Sequence, residues 1–361
     1  MNPRPLTNFR WLRVPKTQDW YSHVGDDGQE ELWLPGEPSD DPNITEVVGD
    51  ASPETWVAYE AECKQRRYDP LAPENGAMFL NLADLDGSKE NFLNFAHSYG
   101  RLGLAEELPV LIPAPFEGMP VSEGEHFDTW RDAWRLMRLG VLLWKANRNA
   151  DRSMREEARE ARRQLEKEIR TLVLPGRKGA PRLGEERVPM ISLSLERLNP
   201  DPPTWLQDEA DPFLSISSDS GKDQDFRKTT LKYLVNRGLG SDIAPQLVLG
   251  ERFEYQIVPQ TLWSFMWDQL ARAIVGSHKF IQCPRCAKWL EIDGFKRRSN
   301  SRYCNNTCKE MAKRARKERA LELHHQGRAP QAIEETLVEE FGYRSTRVPT
   351  IERWIREDSG S

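Results

Sequence analysis

A chain of 361 residues, 38% hydrophobic and 30% charged with twelve tryptophans, has apolar material for two or three domains that bury their own cores without metals or disulfides. No run of eighteen apolar residues occurs, which excludes a membrane-spanning helix, and the opening MNPRPLTNFRWLRVPKTQDW has no apolar segment or small-residue cleavage pattern, so the cytoplasm is the expected compartment. The formal net charge of −6 hides an asymmetry: Lys279 to Arg328 holds fourteen Lys and Arg against five Asp and Glu, so the positive field is confined to one stretch.

Residues 1–76 contain Trp11, Trp20, Trp33 and Trp56, but their turns are rich in Gly, Pro and Asp, as in LPGEPSDDPN, and the expectation is an irregular N-terminal extension. A mixed α+β body is expected over 77–278, opening with the short apolar segment MFLNLADL. The stretch DGSKENFLNFAHSYGRLG predicts a helix capped near Ser88 and ended by Gly100. Trp130, Trp134, Met137, Val141 and Trp144 then recur at helical spacing, and Leu136, Leu139, Leu142 and Leu143 widen that stripe into a mostly buried helix. DRSMREEAREARRQLEKEIR mixes both signs of charge and reads as a solvated helix with local ion pairs. LPGRKGAPRLGEERVP breaks it as a loop, MISLSLERL is a candidate strand, and NPDPPTW and SSDSGKDQD are polar loops. In VPQTLWSFMWDQLARAIVG, Pro259 suits a first helical turn. Two faces are apolar, one of Leu262, Phe265, Met266 and Ala273 and one of Trp263, Trp267, Leu270 and Ile274.

That helix leads to four cysteines. Cys283 and Cys286 enclose two residues, and Cys304 and Cys308 enclose three. A two-residue gap fits a tight turn that aims two thiolates at one ion, and a three-residue gap puts two more on one helix face. Phe280–Gln282 and Trp289–Ile292 read as short strands flanking the turn, so the unit 279–323 is expected to be a knuckle hairpin followed by a helix, a treble-clef plan. Four thiolates favour one structural Zn2+ with no open position for water, with an iron–sulfur centre as the rival. Cys63 stands alone as an ordinary thiol.

On a wheel of about 100° per residue, Cys308, Met311, Ala312 and Ala315 share a side facing metal and core, while Lys309, Lys313, Arg316 and Lys317 form a basic stripe on another. Arg297, Arg298 and Arg302 precede the helix and extend that surface. Charges nearly all of one sign on a metal-pinned helix point to nucleic acid, with solvated surface as the plainer alternative. Residues 324–361 continue as helices. One ends near Gly327, a second starts at Pro330 with Ile333 and Leu337 inward, and a third carries Ile351, Trp354 and Ile355. The arrangement is helix-turn-helix-like, with Arg347, Thr350, Arg353 and Arg356 facing a groove; a helical cap for the zinc unit or a dimer contact is the alternative.

With SFMWDQLARAIVG, CPRCAKWLE and RYCNNTCKEMAKRARKER in view, this half of the chain resembles the CGNR zinc-finger family, described as stress-induced transcription regulators. The resemblance implies zinc ligation by Cys283, Cys286, Cys304 and Cys308. The family's Gly-Asn-Arg triplet after the last cysteine is replaced here by Lys309, Glu310 and Met311, so this is a divergent relative and nothing carries over from the triplet.

The fold expected is α+β, mainly α, and the function expected is a zinc-stabilised DNA-binding regulator that is not an enzyme, whose body senses a signal or forms a homodimer. RNA binding or a protein-adaptor role is the alternative, because zinc knuckles and basic helices also meet RNA. A treble-clef nuclease is less favoured: His23, His97, His126 and His278 are scattered, and the adjacent His324 and His325 cannot face one point from a regular helix.

Overall fold

The computed structural model describes residues 12–16, 18–24, 29–35, 53–68, 75–104, 106–113, 120–148, 155–172, 224–239, 243–249, 253–276, 279–292, 302–341 and 347–359. Among them the chain is mainly helical with small antiparallel sheets, and it divides into two compact units, Met1–His278 and Lys279–Ser361.

The first unit begins with strands β1 (Tyr21–Val24) and β2 (Glu30–Pro35), followed by helices α1 (Pro53–Arg66), α2 (Met78–Ala83) and α3 (Lys89–Tyr99). Strands β3 (Glu106–Pro113) and β4 (Pro120–His126) follow, then helices α4 (Phe127–Asn147), α5 (Arg155–Leu172) and α6 (Gln224–Leu239). The hairpin β5 (Ile243–Leu249) and β6 (Phe253–Pro259) leads into α7 (Leu262–Val275). The expected loop after α5 and the candidate strand MISLSLERL lie outside the described residues.

The described residues of 1–76 are not an irregular extension but include two paired strands and a helix. β1 and β2 complete a four-stranded antiparallel sheet of order β1-β2-β4-β3, with Trp33 opposite His126. Upstream, the Arg13 and Val14 N–H groups donate to the carbonyls of Arg66 and Ala96, and Leu12, Val14, Trp20, Trp33 and Leu34 are buried. The turn-rich composition conceals this because each strand is short, and their apolar side chains gain a partner only when β4 arrives from far downstream.

The core gathers around α4. Phe92 lies 5.9 Å from Trp130, and Trp20 meets Phe127 edge-on at 5.4 Å. MFLNLADL forms α2, whose Met78, Phe79, Leu80 and Leu82 are fully buried. α3 starts where Ser88 accepts the Asn91 N–H and stops at Gly100, as its sequence predicts. α5 does carry ion pairs such as Arg163–Glu160 at 2.6 Å, but Ala158, Ala161 and Leu165 bury one side of it and it packs on α4. Its small-residue line, set among charges, is what the solvated reading overlooks.

α7 begins at a different residue from the one expected. Pro259 ends β6, and Thr261 caps the helix through a reciprocal box with Ser264, whose hydroxyl accepts the Thr261 N–H. Both apolar faces of α7 are buried except at its end, where Ile274 is partly exposed and Val275 fully so. Gln269 ties α7 to the start of α2, accepting the Met78 N–H at 3.0 Å and donating to Asn75 O at 2.8 Å.

Glu125 at the end of β4 is wholly buried and accepts the N–H groups of Leu102, Gly103 and Leu104 at 3.1, 2.6 and 3.0 Å. Burial pushes its carboxyl above the ordinary range, against the pull of those N–H groups and of Arg101. The turn it holds needs glycine, since Gly103 has φ 81° and a Cβ there would press on Thr261.

The second unit opens with the hairpin β7 (Lys279–Gln282) and β8 (Trp289–Ile292), then helices α8 (Asn306–His325), α9 (Pro330–Phe341) and α10 (Val348–Ser359). The last three pack on one another through Ala320, Leu323, Ile333, Leu337, Ile351 and Trp354, with Leu321 and Ile355 at the margin. A boundary between 323 and 324 therefore has no structural counterpart. α8 runs through it and supplies both the cysteine site and the helical core. Its C-terminus closes with Gly327 at φ 81°, the Gly327 N–H donating to His324 O and the Arg328 N–H to Leu323 O, the paired bonds of a Schellman turn.

Candidate metal centre and basic surface

Each half of the cysteine set is placed by local backbone chemistry. Between β7 and β8 the chain turns tightly: the Cys283 N–H donates to Lys288 O and the Ala287 N–H to Cys283 O, each at 2.8 Å. Ala287 takes a left-handed φ of 58°, which brings Cys283 and Cys286 to one side of the turn. The other pair is set by a helix cap. Asn305 accepts the Cys308 N–H at 2.8 Å, which starts α8 with Cys308 in its first turn and Cys304 just before it.

The four Sγ atoms of Cys283, Cys286, Cys304 and Cys308 all lie within 4.8 Å of one another, and Cys286 and Cys304 approach to 3.5 Å. Sulfurs at about 2.3 Å from a tetrahedral zinc would stand about 3.8 Å apart, so the cluster has the size that such an ion requires. Cys283 and Cys304 are buried with Leu290, and Ile281 and Tyr303 pack beside them. Burial pushes the Cys283 thiol up, but N–H groups of Cys304, Arg285 and Cys286 outweigh it and bring it down to about 7. The Cys304 thiol moves the other way, raised by burial and then by its neighbours Cys308 and Cys286. Four thiolates this close would repel one another, and a divalent cation would relieve that repulsion. Cys63 belongs to the first unit, buried beside the Arg66 guanidinium at 3.3 Å.

The structure sorts the basic residues into different situations. Lys309 and Lys313 are exposed on the first half of α8, as is Arg314, which the wheel does not single out. Arg316 is not part of the basic stripe. It is buried, and its Nε donates to Ala312 O at 3.0 Å. The inward line of α8 runs from half-buried Cys308 through buried Ala312, Arg316 and Ala320 in steps of four, so position 316 falls inward while Met311, expected to face the metal, is 44% exposed. Lys317 reaches across to α10, its Nζ 2.8 Å from Glu357 Oε2.

Arg302, Arg347, Arg353 and Arg356 are exposed and Thr350 is half-buried; Arg297 and Arg298 lie outside the described residues. Arg319 is a clamp between helices, its guanidinium forked onto Glu340 at 2.7 and 3.0 Å and onto Glu322 at 2.7 Å. The His324 and His325 rings lie 6.1 Å apart, and His325 pairs with Asp358 at 3.2 Å.

The acidic partners Glu340 and Glu357 are what reading the sequence misses. Glu340 is visible only as part of EETLVEE and Glu357 only near the end of the last helix, and nothing in spacing alone aims either at α8.

Among the described residues no helix is long and apolar enough to cross a membrane. No family model matches the chain, and no curated protein and no solved structure matches it.

Proposed function

We propose that this chain is a zinc-stabilised DNA-binding protein, a transcriptional regulator, in which the cysteine site pins α8 and the exposed cations of α8 and α10 meet the phosphate backbone. The observation that carries this reading is the position of Cys308. It lies in the first turn of the helix that presents Lys309, Lys313 and Arg314 to solvent, so an ion held by the cluster would fix the start of a cationic rod.

Cys283, Cys286, Cys304 and Cys308 would hold one zinc, and a complete thiolate set gives it a structural rather than a catalytic role. In this reading the hairpin and α8 form a treble-clef-like finger, and α8 to α10 form a helix-turn-helix-like unit in which Arg347, Thr350, Arg353 and Arg356 lie nearest the bases or their phosphates. The resemblance to CGNR zinc fingers points the same way. The first unit would then sense a signal or pair subunits.

Fluorescence anisotropy of the zinc-loaded full chain with labelled duplex DNA at rising salt tests the proposal. Binding should weaken steeply with salt and drop sharply in the combined Lys309→Glu, Lys313→Glu, Arg314→Glu variant. Preference for structured RNA in competition would transfer the reading to RNA, and no binding of either at low salt would end it.

A further inference from the structure

One carboxylate in the second unit is surrounded by cations from two helices. Glu357 Oε2 lies 2.8 Å from Lys317 Nζ, Glu357 Oε1 lies 3.7 Å from Arg353 Nε, and Lys313 contributes to the same field. Two of these cations stand on α8 and one on α10, and the two helices are held together by Ala320, Leu323, Ile351 and Trp354. The Lys317 hydrogen bond foremost, then the charges of Lys317, Arg353 and Lys313, hold the Glu357 carboxyl below the usual carboxylate range.

We propose that Lys313, Lys317 and Arg353 form one seat for a backbone phosphate of duplex DNA, and that the Glu357 carboxylate occupies this seat in the free protein. The two unesterified oxygens of a phosphodiester accept from Lys and Arg much as the two oxygens of a carboxylate do, so the same donors serve either occupant. The surroundings allow exchange. Glu357 is 51% exposed, and among the described residues the further acid paired with these cations is Glu310, 3.9 Å from Lys313 Nζ.

The neighbouring pair is built differently. Arg319 is shared by two carboxylates, Glu340 and Glu322, and Arg328 adds to the field at Glu340, so the charges there already balance and displacing one acid leaves the other on the guanidinium. Glu357 thus acts as an intramolecular competitor at the same surface. It weakens attachment to any polyanion, and a ligand must supply enough other contacts to displace it. The proposal rests on the DNA-binding reading for its ligand, but the seat itself can be probed separately.

The test uses zinc-loaded full chain in three forms: wild type, Glu357→Gln, and Glu352→Gln. Glu352 is exposed on the same helix and is not one of the acids paired with these cations, so it controls for the loss of one negative charge anywhere on α10. With labelled duplex DNA at low salt, Glu357→Gln should bind about 3–10-fold tighter than wild type, and its plot of log affinity against log salt should steepen by about 0.9, one more cation being released to a phosphate. Adding Lys317→Gln to Glu357→Gln should remove that gain. An equal gain in Glu352→Gln, or no gain in Glu357→Gln, overturns the seat while leaving DNA binding intact. If no form binds duplex DNA, the DNA reading falls, and calorimetry with inorganic pyrophosphate decides the seat alone. Uptake by Glu357→Gln above wild type upholds it, and equal or absent uptake overturns it.

Discussion

The indole of Trp267 in α7 lies so closely over Gly238 in α6 that a Cβ at position 238 would overlap its ring, and on α4 a Cβ at Gly140 would stand 3.0 Å from the same indole. One tryptophan therefore locks three helices by using two glycines as its floor. Gly238→Ala should destabilise the first unit: alanine gains up to about 1 kcal/mol in helix propensity, whereas overpacking a filled core costs about 1–3 kcal/mol. Gly140→Ala should cost less, because the neighbouring atoms at 3.0–3.2 Å need shift only slightly. Urea unfolding followed by tryptophan fluorescence would show the order, and a Gly238→Ala variant more stable than wild type would contradict the packing described.

Asp86 offers a pH test with a definite sign. The Ser88 side chain foremost, then the Asn91 side chain and the Ser88 N–H, hold its carboxyl at about 2 against an ordinary 3.8. A depressed folded value means that its contribution is in place above about 3.8 and is lost as pH falls through about 2. An NMR titration should find Asp86 ionised at about pH 3, midway between those two values, and in Asp86→Asn the stability of the start of α3 should lose this acid-dependent component. A carboxyl that titrates at the ordinary value would refute the turn geometry around Ser88.

Metal content checks the cysteine cluster directly. Purified full chain should carry about one zinc per molecule, and Cys304→Ser should abolish it while the urea transition of the first unit stays in place. Visible charge-transfer absorption would instead identify an iron–sulfur centre. A chain that holds no metal yet keeps a protease-resistant second unit would remove the role assigned to the ion.

Trp354 tests whether α10 belongs to the same folded body as α8. It is 4% exposed among Ala320, Leu323, Ile333, Leu337 and Ile351. Trp354→Ala should cost about 3–5 kcal/mol in a core this small and expose 347–359 to proteolysis. The four-cysteine site, built from the hairpin and the first turn of α8, should retain its metal in that variant. Loss of zinc together with α10 would show the two to be one cooperative structure.

Much of this was legible from local pattern. Ser88 and Gly100 bracket a helix because capping is a matter of a few adjacent residues, and the stripe Trp130, Met137, Val141 and Trp144 is written in a single helix's period. The four cysteines could be paired from spacing, since a turn and a helix face each place two thiols by local geometry. The strands within 1–76 were not legible, because a short strand between turns has no face of its own until β4 supplies one. Nor was the division of the basic residues. Arg316 turned inward follows from how α8 packs, while Lys317 meeting Glu357 and Arg319 clamping Glu340 join helices across separations of 40 and 21 residues. Near neighbours along the chain settle which elements form and which atoms can meet an ion, because caps, turns and helical periods are local; which charges remain open to a partner was decided only when α8, α9 and α10 closed on one another and paired them.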